Sequence, residues 1–257
     1  MSTTGPRLEL PLRDGVVLIG GDLHRWPGPM STSFRALLKL TTLLKPRIVV
    51  MNGDLFDGAG ISRHPPIGWE KFPSVAEQLA ATRSDLEQLE AKAPSEASLV
   101  WTLGNHDSRF ETYLAKQTPE YEHVHGVHLK DHFSKRWLPC WSCDIAKTLI
   151  VKHRYKGGVH AAYNNAVSSG RSIATGHTHK LGVRPYTDYD GTRFGMEHGM
   201  LTDPRGPQFT DWTEDAPTDW IEGFLVCTFQ SGKLLWPEVC AVVEPGAVQF
   251  RGETMGV

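Results

Sequence analysis

The chain has 257 residues, 22% of them charged, and a formal net charge of −2 at pH 7. This balance argues against a general nucleic-acid coat protein, which would be basic, and no stretch approaches the roughly 18 apolar residues of a membrane-spanning helix. Residues 1–15 lack the apolar core of a signal peptide and four cysteines are too few for a disulfide scaffold, so we expect a cytoplasmic protein without membrane contact. The unusual number is twelve histidines, because histidine is the most common metal ligand.

Short apolar runs typical of β-strands recur along the first part of the chain, and each is closed by a polar turn. The runs cover residues 16–19, 48–51, 99–103, 149–151 and 173–174. Helical patterns lie between them, over residues 31–45, 74–93 and 157–167. The second helical pattern begins with Ser74 and has Glu77 three residues later, which is a capping-box arrangement. This alternation of strands and helices predicts an α/β fold.

The pattern changes after residue 180, where strand-like runs replace the alternation. Residues 189–192 carry a hairpin signal, and further runs lie near 194–200, 221–229, 239–243 and 248–250. We expect a single domain over residues 1–257, with the polar turns in 15–180 and a β-rich part in 181–257. Two long loops, 58–73 and 203–219, are interpreted either as functional lids or binding loops or as simply mobile segments.

The five polar turns bring together side chains that bind metal ions. They supply Asp22, His24, Asp54, Asp57, Asn105, His106, His153, His177 and His179. Since sites in open α/β sheets form at the carboxyl ends of the strands, we expect these turns to converge on one pocket. Carboxylate, imidazole and amide ligands together suit divalent manganese, iron or zinc. Seven of these side chains are candidate ligands, which exceeds the need of one ion and fits two ions that share one carboxylate.

The turns also form an ordered set of motifs. The sequence reads GDLH at 21–24, GDLFD at 53–57, GNHD at 104–107, a single histidine at 153 and GHTH at 176–179. This set resembles the calcineurin-like metallophosphoesterase family, in its bacterial or phage form, over residues 15 to about 180. The resemblance implies a four-layer αββα sandwich of two mixed sheets flanked by helices. It also implies hydrolysis of a phosphate ester by a dinuclear metal centre and a bridging hydroxide.

The resemblance assigns a role to each motif residue. It implies that one ion is bound by Asp22, His24 and His179, that Asn105, His153 and His177 bind the second, and that Asp54 bridges both. It places His106 beside the scissile phosphate as a general acid, with Asp57 orienting its ring. Manganese is the expected metal, with iron and zinc as alternatives. His160 competes with His153, because only a strand-like run and its position support residue 153.

Three arginines adjoin the motifs and are candidates for binding the substrate phosphate. They are Arg25, Arg109 and Arg154. Arginine can pair with phosphate through two parallel hydrogen bonds, although each could instead be a solvated charge or the partner of a nearby aspartate. The substrate is expected to be a phosphate ester, and the sequence leaves the choice between monoester and diester open. The alternative is a phosphodiesterase or nuclease acting on nucleotides or single-stranded nucleic acid, and a non-catalytic scaffold is disfavoured because no motif residue is missing.

Other residues are left with open or structural interpretations. Trp26 is expected to pack or to stack on an aromatic group of the substrate, while His64 and His198 could line the pocket. The cluster of His123, His125, His128 and His132 is interpreted as a surface or strand segment rather than a metal site. Cys140 and Cys143 resemble half of a zinc knuckle, but no second pair with this spacing exists in the sequence.

Overall fold

The computed structural model describes residues 7–64, 66–214 and 216–257 and contains two β-sheets. The strands are β1 (Leu8–Leu10), β2 (Gly15–Gly20), β3 (Ile48–Asn52), β4 (Ser98–Thr102), β5 (Trp137–Cys140), β6 (Cys143–Ile145), β7 (Leu149–Val151), β8 (Ser172–Thr175), β9 (Leu181–Asp188), β10 (Gly191–His198), β11 (Gly223–Gln230), β12 (Lys233–Leu234), β13 (Glu238–Glu244), β14 (Ala247–Phe250) and β15 (Glu253–Gly256). The α-helices are α1 (Thr32–Leu44), α2 (Val75–Lys92), α3 (Asp107–Gln117), α4 (Ala161–Ser169) and α5 (Pro207–Thr213). Single 3₁₀ turns lie at Ala59–Ile61, Pro119–Tyr121 and Leu129–His132.

The larger sheet has the strand order β15-β14-β13-β11-β2-β3-β4-β5, and β12 pairs with β11. Strands β2 to β5 are parallel, with Ile19 opposite Val50 and Val50 opposite Val100. Strand β11, from the β-rich C-terminal part of the chain, pairs antiparallel with β2 and so lies between β13 and β2 in the interior of the sheet. Because β2, β3 and β4 run in the same direction, the turns that follow them meet at one edge.

The smaller sheet has the order β1-β6-β7-β8-β10-β9. Strands β7, β8 and β10 are parallel. Strand β6 pairs antiparallel with β7 and parallel with β1, and β9 pairs antiparallel with β10. The hairpin predicted at 189–192 is confirmed, since Asp188 of β9 pairs with Gly191 of β10. The turns after β7 and β8 therefore also lie together at one edge of their sheet.

The two sheets pack face to face, with helices on both outer faces. Buried side chains between the sheets include Val17 and Val50 from the larger sheet and Val151 and Met196 from the smaller one. On the outer face of the larger sheet, Leu18 belongs to a second core that it shares with α1 and α2. Helix α4 packs against β8, β9 and β10. The predicted four-layer sandwich of two mixed sheets is confirmed.

The predicted helices differ from the observed ones mainly at their ends. Helix α1 starts after the N-cap Ser31, and α2 starts after Ser74, whose capping box with Glu77 is present. Helix α4 begins at Ala161, four residues later than the pattern indicated, because residues 157–160 form a turn. Helices α3 and α5 were not predicted: the first begins inside a motif and the second has only seven residues. Within the described ranges, no helix is long and apolar enough to cross a membrane.

Candidate metal centre

The predicted ligands come from both sheets and meet at the edge of the sandwich where the strand ends of the two facing sheets adjoin. Asp22, Asp54 and Asn105 follow β2, β3 and β4 of the larger sheet. His153 follows β7 of the smaller sheet, and the GHTH motif at 176–179 follows β8. Two of these turns are joined by the backbone, since the Asp22 amide donates to the Gly53 carbonyl at 2.9 Å. The site is therefore built from strand ends that the fold brings together.

The first group of ligand atoms belongs to Asp22, His24 and His179. His179 Nε2 lies 3.3 Å from Asp22 Oδ1 and 3.2 Å from His24 Nε2. His24 Nε2 is 3.6 Å from the same Asp22 oxygen, and all three side chains are buried. One carboxylate and two imidazoles thus point at a common position.

The second group belongs to Asp54, His153 and His177. His153 Nε2 lies 3.1 Å from Asp54 Oδ2, and that same oxygen lies 3.9 Å from His24 Nε2 of the first group. Asp54 is therefore placed between the two groups. His160, the alternative to His153, is instead the exposed N-cap residue of α4.

Several buried ligand atoms have no hydrogen-bond partner in the protein. They are Asp22 Oδ1, Asn105 Oδ1 and His153 Nε2. The other ring nitrogen of His153 donates to the Asn52 carbonyl at 2.8 Å, which directs Nε2 toward Asp54. Because buried polar atoms without partners are rare, and because carboxylate, imidazole and amide atoms bind divalent ions, this donor set fits metal ions.

The backbone of the motifs is strained at the ligands themselves. Positive φ values of 41° to 73° occur at Asp22, His24, Asp54, His177 and His179. Residues other than glycine rarely adopt this conformation, and it persists where surrounding contacts enforce it, often at functional sites. In the motifs, glycine is also required for a steric reason where a side chain would clash with a neighbouring ligand residue. A Cβ on Gly104 would lie 2.0 Å from Asp54 Oδ1, so only glycine lets Asp54 reach its position.

Asp57 connects the first group to His106. Its Oδ1 atom lies 3.2 Å from His24 Nδ1 and 3.1 Å from His106 Nδ1. Arg109 Nη2 lies 2.9 Å from His106 Nε2. Since a guanidinium group only donates, His106 Nε2 is the acceptor and its proton sits on Nδ1, facing Asp57. The ring is thus held at both nitrogens.

The buried carboxylates strongly perturb the titration of the histidines. Burial alone would lower the pKa of His24, but hydrogen bonds to Asp22 and Asp57 and the charge of Asp54 raise that pKa to about 10. Burial alone would also lower the pKa of His153, but the charges of Asp54 and Asp22 outweigh this effect and raise that pKa to about 9. Burial would raise the pKa of Asp54, yet the neighbouring histidines hold that pKa well below its ordinary value. In the metal-free protein, protons on these histidines therefore balance the carboxylate charge.

Comparison with known proteins identifies the family. A family model for calcineurin-like phosphoesterases matches residues 15–222. The chain belongs to this family. The phosphoesterase is 30% identical to the Gene 54 protein of Mycobacterium phage L5 over 223 residues, which cover 77% of this chain and 83% of that protein. The Gene 54 protein of Mycobacterium phage D29 is 30% identical over 225 residues, with the same coverage.

Solved structures of other proteins are also similar to the phosphoesterase. Wild-type Vps29 of Entamoeba histolytica complexed with zinc has a TM-score of 0.49 and 14% identity, covering 94% of this chain and 98% of that chain. A dimetal phosphatase of Danio rerio has a TM-score of 0.44 and 11% identity, covering 95% and 98% respectively. Family membership makes the chain a phosphoric ester hydrolase, and the family's use of divalent ions agrees with the His/Asp groups described above.

The structure brings one of the three candidate arginines to the centre of the phosphoesterase. Arg109 lines the cleft above the two groups. Arg25 does not: its Nε lies 2.7 Å from Asp85 Oδ2 and its Nη1 donates to the Trp26 carbonyl at 2.6 Å, so its charge and donors are engaged elsewhere. Arg154 is exposed. It lies close enough to His177 to help lower that residue's pKa, after burial and the charge of His153.

Trp26 supports Asp57 in the phosphoesterase site. Its Nε1 donates to Asp57 Oδ2 at 3.1 Å, so the carboxylate that holds His24 and His106 is itself fixed by a third donor. The pKa of Asp57 is well below its ordinary value, because these hydrogen bonds to both histidines outweigh the effect of burial. The orienting role expected of Asp57 extends in this geometry from one histidine to two.

Three further buried residues lie near the centre: Asp107 and Glu197, which were not assigned a role from the sequence, and His198, which was a candidate for lining the pocket. Asp107 accepts from the amides of Leu55, Phe56 and Gly104 and from Trp101 Nε1, at 2.9 to 3.1 Å. Glu197 accepts from Thr178 Oγ1, between the two histidines of the GHTH motif. His198 Nε2 lies 3.8 Å from Asp22 Oδ2, and burial lowers the pKa of His198 to about 4. Asp107 is the last residue of the GNHD motif and so carries a sequence signal. Glu197 and His198 lie at the end of β10, the second strand of the hairpin, and belong to no recognisable motif.

The remaining histidines and the cysteines lie outside the centre. Residues 119–121 and 129–132 form 3₁₀ turns, and residues 122–128 between them are turns and bends, so the strand alternative for the second histidine cluster is wrong. His123 and His125 are exposed. Among the described residues, no group of possible metal ligands occurs there. Cys140 and Cys143 are buried and free, and burial raises the pKa of both thiols. They serve as core side chains.

Proposed function

We propose that this chain is a metal-dependent phosphate ester hydrolase with a dinuclear centre. The observation that carries the proposal is the pair of carboxylate–histidine groups with Asp54 between them. Unpartnered buried atoms on Asp22 and His153 support the binding of cations there. One group alone would suit a single ion, but two groups with the Asp54 carboxylate between them suit two.

In this proposal each ion has ligands from both sheets. One ion is held by Asp22, His24 and His179, the other by Asn105, His153 and His177, and Asp54 contacts both. Asn105 adds a ligand atom without adding negative charge, which preserves the attraction for an anionic substrate. Divalent ions, when bound, supply Lewis acidity and a water nucleophile near neutral pH. Manganese is proposed as the metal, and iron or zinc satisfy the same donor set.

His106 and Arg109 act on the ester in this proposal. A substrate phosphate would attract the Arg109 guanidinium, which would free His106 Nε2 from its 2.9 Å contact. Once free, Nε2 can take up a proton from solvent and donate it to the leaving oxygen, and Asp57 keeps the ring in place through Nδ1. General acid assistance of this kind is typically worth about 10²–10⁴-fold in rate.

The dimensions of the cleft favour a small ester as substrate. The cleft above the two groups has a volume of about 320 Å³, near the lower end of small-molecule pockets. The chain's net charge of −2 also offers little general attraction for long nucleic acid. A mononucleotide or a short strand end remains compatible with this cleft, so the choice between monoester and diester is made by experiment.

The test compares 4-nitrophenyl phosphate and bis(4-nitrophenyl) phosphate, each with added manganese, zinc or ferrous iron. We expect metal-dependent turnover of at least one ester. Asp54→Ala should lose both turnover and bound metal, since the shared carboxylate is removed. Absence of hydrolysis with every metal would contradict the proposed function, and a strong preference for the diester would favour the phosphodiesterase alternative.

A further inference from the structure

Aromatic side chains line the cleft above the candidate metal centre. His24, Asp54, His106 and His179 supply polar groups to the cleft. Phe72 belongs to the loop after the second motif, Phe209 to helix α5, and Trp220 to the segment before β11. We call these three residues the aromatic cleft residues. Their distance in sequence from one another shows that the fold, rather than one apolar stretch, gathers them here.

Two of these rings lie directly on the proposed ligands. The Phe209 ring centroid is 5.3 Å from that of His24 and 5.7 Å from that of His179. The Trp220 centroid is 4.5 Å from His179 and 5.2 Å from Phe209. A phosphate bound at the ligand atoms would therefore have its ester group beside these rings.

Hydrogen bonds hold the supporting segments in place. Gln208 Nε2 donates to the His24 carbonyl at 3.3 Å and to Thr202 Oγ1 at 2.9 Å, which fixes the start of α5. The Ile221 amide, next to Trp220, donates to the His179 carbonyl at 2.9 Å. The rings are thus positioned before any substrate arrives, and little ordering is required on binding.

The third ring is linked to the same hydrogen-bond network. Phe72 packs edge-to-face on Trp26 at 6.2 Å, and Trp26 donates to Asp57. Near it, Ile67 lines the cleft with half of its surface exposed. Phe209 is already buried, whereas Phe72, Trp220 and Ile67 are partly exposed. A bare phosphate or a sugar phosphate would leave these exposed parts in water, whereas a flat apolar group would cover them.

We propose that the aromatic cleft residues bind the ester group of the substrate, and that this group carries a planar aromatic ring. The substrate class is then an aryl phosphate or a nucleotide, which share a ring linked to a phosphate. This inference rests on the proposed function, because it places the phosphate at the candidate metal centre.

The experiment uses substrate pairs that differ only in the ring. Adenosine 5′-monophosphate and ribose 5-phosphate break the same ester bond, and only the first carries a base. Benzyl phosphate and cyclohexylmethyl phosphate have matched size, and only the first is aromatic. If the enzyme prefers diesters, the methyl diester of each compound is used. We measure kcat/KM with the metal-loaded protein and, independently, equilibrium binding by calorimetry.

We expect the ring-bearing member of at least one pair to bind more tightly and to react faster. Trp220→Leu should lower this preference by about tenfold, as base–aromatic stacking is lost. Phe209→Leu should do the same and provides a second variant if the first folds poorly. Trp69→Leu is the matched control, because Trp69 lies on the same loop as Phe72 but is 98% exposed. If only the nucleotide pair shows a preference for the ring-bearing member, the substrate class is nucleotides. If only the benzyl pair shows it, the substrate class is aryl esters.

The outcomes separate this inference from the function on which it rests. Equal hydrolysis and binding of both members of each pair would overturn the inference and leave the hydrolase proposal standing. An equal loss on both members in Trp220→Leu would also overturn it, since the ring would then only support His179. Ring-selective binding without hydrolysis would sustain the inference and contradict the hydrolase proposal.

Discussion

At the residue scale, His106 is the side chain whose removal separates chemistry from metal binding. It belongs to neither of the two ligand groups described above, although its ring nitrogen lies near a ring nitrogen of His24 and a carboxylate oxygen of Asp57 in a third set of possible ligand atoms. His106→Ala should therefore keep its metal content and lose about 10²–10⁴-fold in kcat, the typical value of general acid assistance. Metal analysis and steady-state kinetics on the same preparation test this. Normal turnover in the variant would remove His106 from the mechanism.

Residues inside the ordered motifs were predictable because their spacing and their place after strands carry the information. Asp22, Asp54 and His153 lie where that reasoning put them, at adjoining strand ends. Glu197 was not predictable and His198 was only a candidate for lining the pocket, since β10 reaches the centre only through its pairing with β8 in the smaller sheet. Arg25 adjoins a motif in sequence, yet its guanidinium forms an ion pair with Asp85 on helix α2. Tertiary contacts of this kind leave no local signal.

At the scale of elements, the contact between α4 and β10 depends on a glycine. A Cβ on Gly195 would lie 1.7 Å from the Ala162 carbonyl oxygen, so the helix must move away to admit it. Gly195→Ala should lower the free energy of unfolding by about 1–3 kcal/mol, as overpacking does. Gly182→Ala on neighbouring β9 is the control, because nothing lies within 4 Å of its added Cβ. Urea denaturation checks both variants, and equal stability would show that α4 adjusts freely.

Helices with clear sequence signals were predicted well, and short helices tied to the site were not. Ser74 and Glu77 mark the start of α2 through local hydrogen bonds that sequence spacing reveals. Helix α5 has seven residues and is seated by Gln208, whose partners are His24 and Thr202. A helix this short depends on such contacts rather than on its own propensity. The loop at 203–219 therefore looked structureless in the sequence.

At the scale of the whole molecule, the metal-free protein should lose stability as pH rises. The pKa values of His24 and His153, about 10 and about 9, lie above the value near 6.5 that an unfolded histidine has. Their stabilising contribution is fully present below about pH 6.5 and is lost as pH rises through 9 to 10. Urea denaturation in the presence of a chelator at pH 6.5, 8 and 9 measures the trend. A flat or rising unfolding free energy over this range would contradict it.

Bound metal ions should reverse this trend, because they take the place of the protons between carboxylates of the larger sheet and histidines of the smaller one. Asp22 and Asp54 come from the first sheet and His153 and His179 from the second, so each ion would connect the two halves of the sandwich. Metal that binds only the native state stabilises it by about 2.7 kcal/mol at a metal concentration about one hundred times Kd, which for a chain of this size is a rise of about 5–10 °C in Tm.

Because metal binding must displace protons from His24 and His153, the rise in Tm should be larger at pH 8 than at pH 6.5. Thermal unfolding with chelator or with manganese at both pH values measures it, with His160→Ala as the control that keeps the full shift. A Tm unaffected by metal, or a shift that shrinks as pH rises, would show that the two sheets are not joined through these side chains.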